Sequence, residues 1–187
     1  MSNGIYVSSL LYASEFDHDA VVAGIARTYA QRGIGVKSEP TLPGGKRADL
    51  AVALGNAWTY IEVKTRSNGT LKARHKLSFR QDFLREILRL RAHSLKQLPR
   101  KESSLMVLAA SASPDRRKAV SKIAIARSFA ARIFGHDSGK VLGLMIFAPF
   151  RNPNQPHKPW KYASTLIPNP NWKAKGENFD KLTGVQL

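Results

Sequence analysis

Apolar positions in this chain recur with two periods, and the change from one period to the other marks out the elements. Residues 15–32 have helical spacing. Val22, Ile25, Ala26 and Tyr29 fall on one stripe at 100° per residue, with Ser14 placed to cap the start and Gly33 to stop the end. Residues 5–12 (IYVSSLLY) fit either a strand or the lead-in to that helix. A short strand is predicted over residues 34–38. Residues 48–54 and 58–66 are two strand-like runs separated by a Gly55-Asn56 turn, which predicts a hairpin. Residues 76–98 predict a long helix ending at Pro99, with a seam of Leu77, Leu84, Leu88 and Leu95. Residues 105–110 and 141–149 are unbroken apolar runs of strand length, as expected of strands covered on both faces. Between them, residues 115–134 carry Ala119, Ile123, Ala126, Ala130 and Ile133 at 4-3-4-3 spacing. This alanine-rich stripe suits close packing on a sheet.

From Arg151 the pattern changes. The segments RNPNQPHKPWKY and PNPNWKAK are rich in Pro, Asn, Lys and Trp, with one short strand predicted over residues 164–167. The chain therefore divides into an α/β domain over residues 1–150 and a basic C-terminal arm over 151–187, packed on that domain or extending from it. Lysines beside Trp160, Tyr162 and Trp172 have two readings: the aromatic rings stack on bases, or they anchor the arm. No internal repeat is present.

Composition narrows the partners. Thirty Lys and Arg against thirteen Asp and Glu give a formal charge of +17, spread along all 187 residues. A folded protein this basic is expected to meet a polyanion, with DNA or RNA ahead of an anionic membrane. No apolar run is long enough to span a bilayer, and Met1–Asn3 does not begin a signal peptide, so a cytoplasmic protein is expected. The absence of cysteine excludes disulfides and thiolate zinc sites, and the five histidines show no ligand spacing.

The hairpin carries the candidate chemistry. Its first strand begins with Asp49, and its second holds Glu62, Val63 and Lys64 near the end. In an antiparallel pair these two ends lie together, so the two acids approach each other. They repel unless a cation lies between them, and hard oxygen ligands suit Mg²⁺ or Mn²⁺. Removing one acid in the absence of metal is expected to leave folding intact or improved. Lys64, two residues beyond Glu62, shares its strand face. Two carboxylates and a lysine around such a cation are equipment for phosphodiester hydrolysis. An acid-x-Lys triplet also arises by chance in a lysine-rich chain. Here Trp58, Tyr60, Ile61 and Val63 predict a strand covered on both faces, where an acid needs a partner or a metal.

Three further groups have open readings. Glu15 and Asp19 project onto the apolar stripe of the first helix, either as functional acids or as first-turn residues favoured by the helix dipole. Lys46 and Arg47 end a Gly/Pro loop over residues 40–47, which either approaches a phosphate backbone or simply connects strands. Arg85, Arg89 and Lys96 form a ridge on the long predicted helix, which either contacts phosphates or faces solvent.

With the order helix, strand, Asp strand, Glu-x-Lys strand, helix, strand, and with A-D-L and I-E-V-K placing Asp49 and Glu62 thirteen residues apart, the chain resembles the PD-(D/E)xK nuclease superfamily. It is most similar to the archaeal-type Holliday junction resolvases and related restriction-type endonucleases, over about residues 15–110. The resemblance implies a restriction-endonuclease-like αβββαβ core, a central mixed sheet flanked by helices, to which this chain adds a helix–strand pair. It implies a metal-dependent DNA endonuclease in which Asp49 and Glu62 hold Mg²⁺ or Mn²⁺ with the Val63 carbonyl as a further ligand. Lys64 then orients or activates the attacking water, and the helix acid is Glu15, with Asp19 as the alternative. Ala48 stands where many members have proline. The implied partner is DNA, duplex or branched, and a homodimer is compatible. The competing expectation is a catalytically inactive nucleic-acid-binding protein that keeps the fold. A membrane-binding reading calls for a basic amphipathic helix, and none is distinctive here.

Overall fold

The computed structural model describes residues 4–10, 17–42, 45–65, 98, 101–110, 112–128, 134, 140–171, 182 and 185–187. Among them are seven strands and two helices: β1 (Tyr6–Ser9), α1 (His18–Gln31), β2 (Val36–Ser38), β3 (Leu50–Leu54), β4 (Ala57–Thr65), β5 (Ser103–Ala109), α2 (Arg116–Ser128), β6 (Val141–Phe150) and β7 (Lys161–Pro168). The strands form one mixed sheet in the order β1-β7-β6-β5-β4-β3-β2. β4, β5 and β6 run parallel, and the outer pairs are antiparallel. The expected α/β class is the one observed. None of the described helices is long and apolar enough to cross a membrane.

The two unbroken apolar runs become the middle of the sheet. Every residue of β5 and β6 is buried, because both faces are covered. One face packs α1 through Val21, Ile25 and Tyr29 onto Leu50, Val52, Ile61, Val63, Leu105 and Val107. The other packs α2 through Ala119, Ile123 and Ala126 onto Met106, Leu108, Leu144, Ile146 and Ala163. The described part of the α2 stripe thus lies where its spacing predicts; Ala130 and Ile133 lie outside the described residues.

Three expectations are corrected. The first helix begins at His18 and is capped by Asp17, whose side chain accepts the Ala20 N–H at 2.8 Å. Its buried residues are Val21, Gly24, Ile25, Thr28 and Tyr29, so the stripe is rotated from the predicted one and Val22 and Ala26 are only partly covered. The cause is the end of the chain. Leu187 lies on Gly24, where a Cβ would meet the Leu187 Cα at 2.9 Å, and Thr28 Oγ1 donates to the Gln186 carbonyl at 2.6 Å. The third correction concerns the strand predicted over residues 164–167. It extends over Lys161–Pro168 and lies between β6 and β1. Its Tyr162 is fully buried, with the hydroxyl accepting the Leu187 N–H at 3.0 Å.

A bulge sets the β5–β6 register. Ser104 pairs with Val141 and Leu105 with Gly143, which leaves Leu142 as the extra residue. Asn169 takes up the freed carbonyls, its Nδ2 donating to Val141 and its N–H to Leu142. The Gly143 backbone comes so close to β7 that a Cβ there would lie 2.5 Å from the Ile167 carbonyl oxygen.

Candidate functional site

The β3–β4 hairpin sets the position of the acids. Leu54 pairs with Ala57 across the two-residue turn, and Gly55 takes φ 61°, the conformation such a turn requires at that position. The register continues to Leu50 opposite Ile61, with the Asp49 N–H donating to the Ile61 carbonyl at 3.2 Å. The paired ladder ends there, so Asp49 shares Ile61 with Leu50. Asp49 lies just ahead of β3 and is not its first residue, because its side chain, in place of its backbone, takes up the next donor. Asp49 Oδ2 accepts the Val63 N–H at 2.6 Å. The carboxylate thus has a structural task that sequence spacing does not reveal. Removing it strips a buried backbone donor of its partner, a cost that the expectation of intact or improved folding left out.

Glu62 and Lys64 alternate with the buried Ile61 and Val63, so they share the sheet face of Tyr60, the face that α2 covers. Lys64 Nζ donates to Glu62 Oε1 at 2.5 Å. Only 13% of the Glu62 side chain is exposed, against 48% for Lys64, so the lysine is the partner that can move. Tyr60, two residues before Glu62, is partly buried. Burial, together with a hydrogen bond to the Glu102 side chain, raises its phenol pKa above the ordinary value.

Sequence reasoning overlooked His18. Its Nε2 lies 3.4 Å from Asp49 Oδ1, and its Nδ1 lies 3.0 Å from Asp19 Oδ1. The first residue of α1 thus joins Asp49 to Asp19. The available signal was the D-H-D triplet at the helix start, two acids flanking an imidazole. Asp19 itself is fully exposed at 99%, so it is not on the core-facing stripe. Glu15 lies outside the described residues, as do Arg85, Arg89, Lys96 and Trp172.

The described residues of the loop leading to Asp49 make contacts of their own. Thr41 bridges Arg47, Leu42 is buried, and Gly45 turns the chain at φ 78°. Glu39 holds φ 45°, a left-handed conformation that costs a non-glycine residue energy. Its N–H donates to the Asp49 carbonyl at 3.0 Å, and its carboxylate pairs with Arg47 at 3.4 Å. Lys46 and Arg47 are both exposed on this loop.

Among the described residues, no three His, Asp or Glu side chains are grouped closely enough to hold a metal together. The donor chemistry of the acid pair nonetheless fits a hard divalent cation. A carboxylate offers about four lone-pair sites, and one backbone N–H does not exhaust those of Asp49. The half-exposed Lys64 ammonium is the cation a metal would have to displace from Glu62.

No family model matches this chain, and no curated protein matches it. Among solved structures, that of SfsA from Pyrococcus furiosus in complex with Ca²⁺ is similar at 14% identity and a TM-score of 0.32. The match covers 83% of this chain and 63% of that one, so the chain spans less than two thirds of that protein's length. A likeness this shallow decides neither family nor function.

Proposed function

We propose that this chain is a metal-dependent DNA endonuclease of the PD-(D/E)xK kind, acting in the cytoplasm. In this reading Asp49 and Glu62 hold Mg²⁺ or Mn²⁺, and Lys64 attends the attacking water. One observation carries it: the Asp49 carboxylate is held on the Val63 N–H, the residue after Glu62, and the Lys64 ammonium is on Glu62. The described order α1, β2, β3, β4, β5 supports the αβββαβ core; the helix predicted over residues 76–98 lies, but for Leu98, outside the described residues. A charge of +17 supports a nucleic-acid substrate held by its phosphates, with little dependence on sequence. When bound, the cation polarises the scissile phosphate and lowers the pKa of a water. The chain's own part is positional. The Val63 N–H and His18 fix the Asp49 carboxylate, and Lys64, half in solvent, swings from Glu62 to the nucleophile or to the developing charge. The Val63 carbonyl and Glu15 enter by resemblance alone.

The test is cleavage of plasmid, linear duplex and four-way junction side by side in Mg²⁺, Mn²⁺ and EDTA. Cleavage is expected only with metal, and is expected to disappear in Asp49→Asn and Glu62→Gln while DNA binding persists. A folded parent protein that cuts none of the three with either metal refutes the proposal. A second reading, a nucleic-acid-binding protein that keeps the fold without cutting, is favoured by the engagement of both acids with groups of the chain itself, Val63, His18 and Lys64. It predicts binding in EDTA and no cleavage in any arm.

A further inference from the structure

We infer that the first turn of α2, together with the β6–β7 loop, forms a phosphate-binding track that carries a DNA strand to the acid pair. This rests on the endonuclease reading for its substrate and goes beyond it in assigning the path.

The first turn of α2 is Arg116, Arg117 and Lys118, all exposed, with no acid among them. Cations at a helix N-terminus oppose the positive end of its dipole, so this placement works against the helix. The cap, Asp115, is committed to the backbone: its Oδ1 accepts the Lys118 N–H at 2.8 Å. None of the three basic side chains is in an ion pair among the described residues. Three cations held against a dipole, unpaired among the described residues, are suited to an anionic partner brought from outside.

Neighbouring segments extend the patch. Ser113 bridges Phe150, and its carbonyl accepts the Arg151 N–H at 3.1 Å, which brings the start of the β6–β7 loop beside the entry to α2. Arg151 is fixed in place, with its guanidinium 4.2 Å above the Trp160 ring and its Nη1 donating to the Pro156 carbonyl at 2.9 Å. A planar guanidinium backed by an indole suits a phosphate or a base face. Lys158 is exposed on the same loop. At the base of the patch, Ser113 Oγ is buried (4% exposed for the residue) and has no hydrogen-bond partner among the described residues. Such a group is rarely left unsatisfied, and here it lies three residues ahead of Arg116.

Topology puts this surface at the acids' end of the sheet. Lys64 is level with Leu108 and Leu108 with Ile146, so Phe150 lies four residues beyond that level and two strands across. These offsets are about 13 Å and about 10 Å, or roughly 16 Å combined. A duplex covers that span in about five base pairs at 3.4 Å each. α2 also lies on the sheet face that bears Glu62 and Lys64.

The test is equilibrium binding of a short labelled duplex over a salt series in EDTA, where no cleavage can occur. The variants are Arg116→Ala/Arg117→Ala/Lys118→Ala, Arg151→Ala, and Arg127→Ala as a control at the other end of α2. The triple variant is expected to flatten the log–log salt slope by about 0.9 for each residue that meets a phosphate, with about eightfold weaker binding per contact at 0.1 M salt relative to 1 M. Arg151→Ala should flatten it by about one such step, and Arg127→Ala should leave it unchanged. The triple variant should melt at or above the parent temperature, since charges opposing the dipole are gone. A parental slope in the triple variant overturns the inference, as does an equal per-residue loss in Arg127→Ala. Failure of the parent to bind DNA, or equally tight binding to anionic lipid vesicles with the same loss in the triple variant, also overturns it. A parent that binds but never cuts removes the nuclease reading, and the slopes still decide the track.

Discussion

Asp49→Ala separates the structural task of that carboxylate from its proposed chemical one. The side chain accepts the Val63 N–H at 2.6 Å, and Val63 is fully buried. Deleting the acceptor leaves a buried donor without a partner, at a cost of about 1–3 kcal/mol. Relief of repulsion with Glu62 pulls the other way, but it is small. Even at about 4 Å, two bare carboxylates in water repel by only about 1 kcal/mol, and the Lys64 ammonium on Glu62 cancels much of any such repulsion. The net result is a loss of stability. For a domain of this size about 2–4 °C in Tm accompanies each kcal/mol, so a drop of about 2–12 °C is expected. Asp49→Asn keeps a carbonyl oxygen for Val63 and should lose less. Thermal melts of parent, Asp49→Ala and Asp49→Asn in EDTA decide the matter. Asp49→Ala melting at or above the parent, or together with Asp49→Asn, refutes the reasoning.

Glu62→Ala frees a half-exposed Lys64 to reach water, so it should cost less than about 1 kcal/mol in the same melts; a larger loss than in Asp49→Ala would reverse the roles assigned to the two acids. Gly143→Ala drives a methyl to 2.5 Å from the Ile167 carbonyl and should lower the urea midpoint by the equivalent of about 1–3 kcal/mol; an unchanged midpoint would contradict the close approach at the bulge. Tyr29, Tyr60 and Tyr162 all have phenol pKa values raised above the ordinary 10.0, in each case chiefly by burial. A raised folded value means the stability is fully present below pH 10.0 and is lost as pH climbs through the folded values. Absorbance titration should therefore show these phenols ionising together with alkaline unfolding, and smooth ionisation near pH 10.0 in the folded chain would refute it.

Local pattern determined much of this molecule. The β3–β4 hairpin, its Gly55 turn, the buried β5 and β6, and the Ala119–Ile123–Ala126 stripe of α2 are written in residues a few positions apart, because strand and helix periods are short-range properties. That Asp49 comes to the Glu62 end of β4 was legible for the same reason, since a two-residue turn fixes the register from its centre outward as far as Leu50 and Ile61. Tertiary structure decided what depends on segments far apart. The rotation of α1 follows from Leu187 and Gln186 covering Gly24 and Thr28, about which the spacing around Val22 carries no information. The same holds for β7, whose place between β6 and β1 is a choice among apolar strands of similar pattern. His18 meets Asp49 only because the sheet and α1 bring together residues from separate elements. The Asp49 carboxylate bonds to the Val63 N–H because the antiparallel ladder leaves that donor open where the strand ends. Sequence spacing brought Asp49 to the Glu62 end of β4; packing decided which groups hold each acid there.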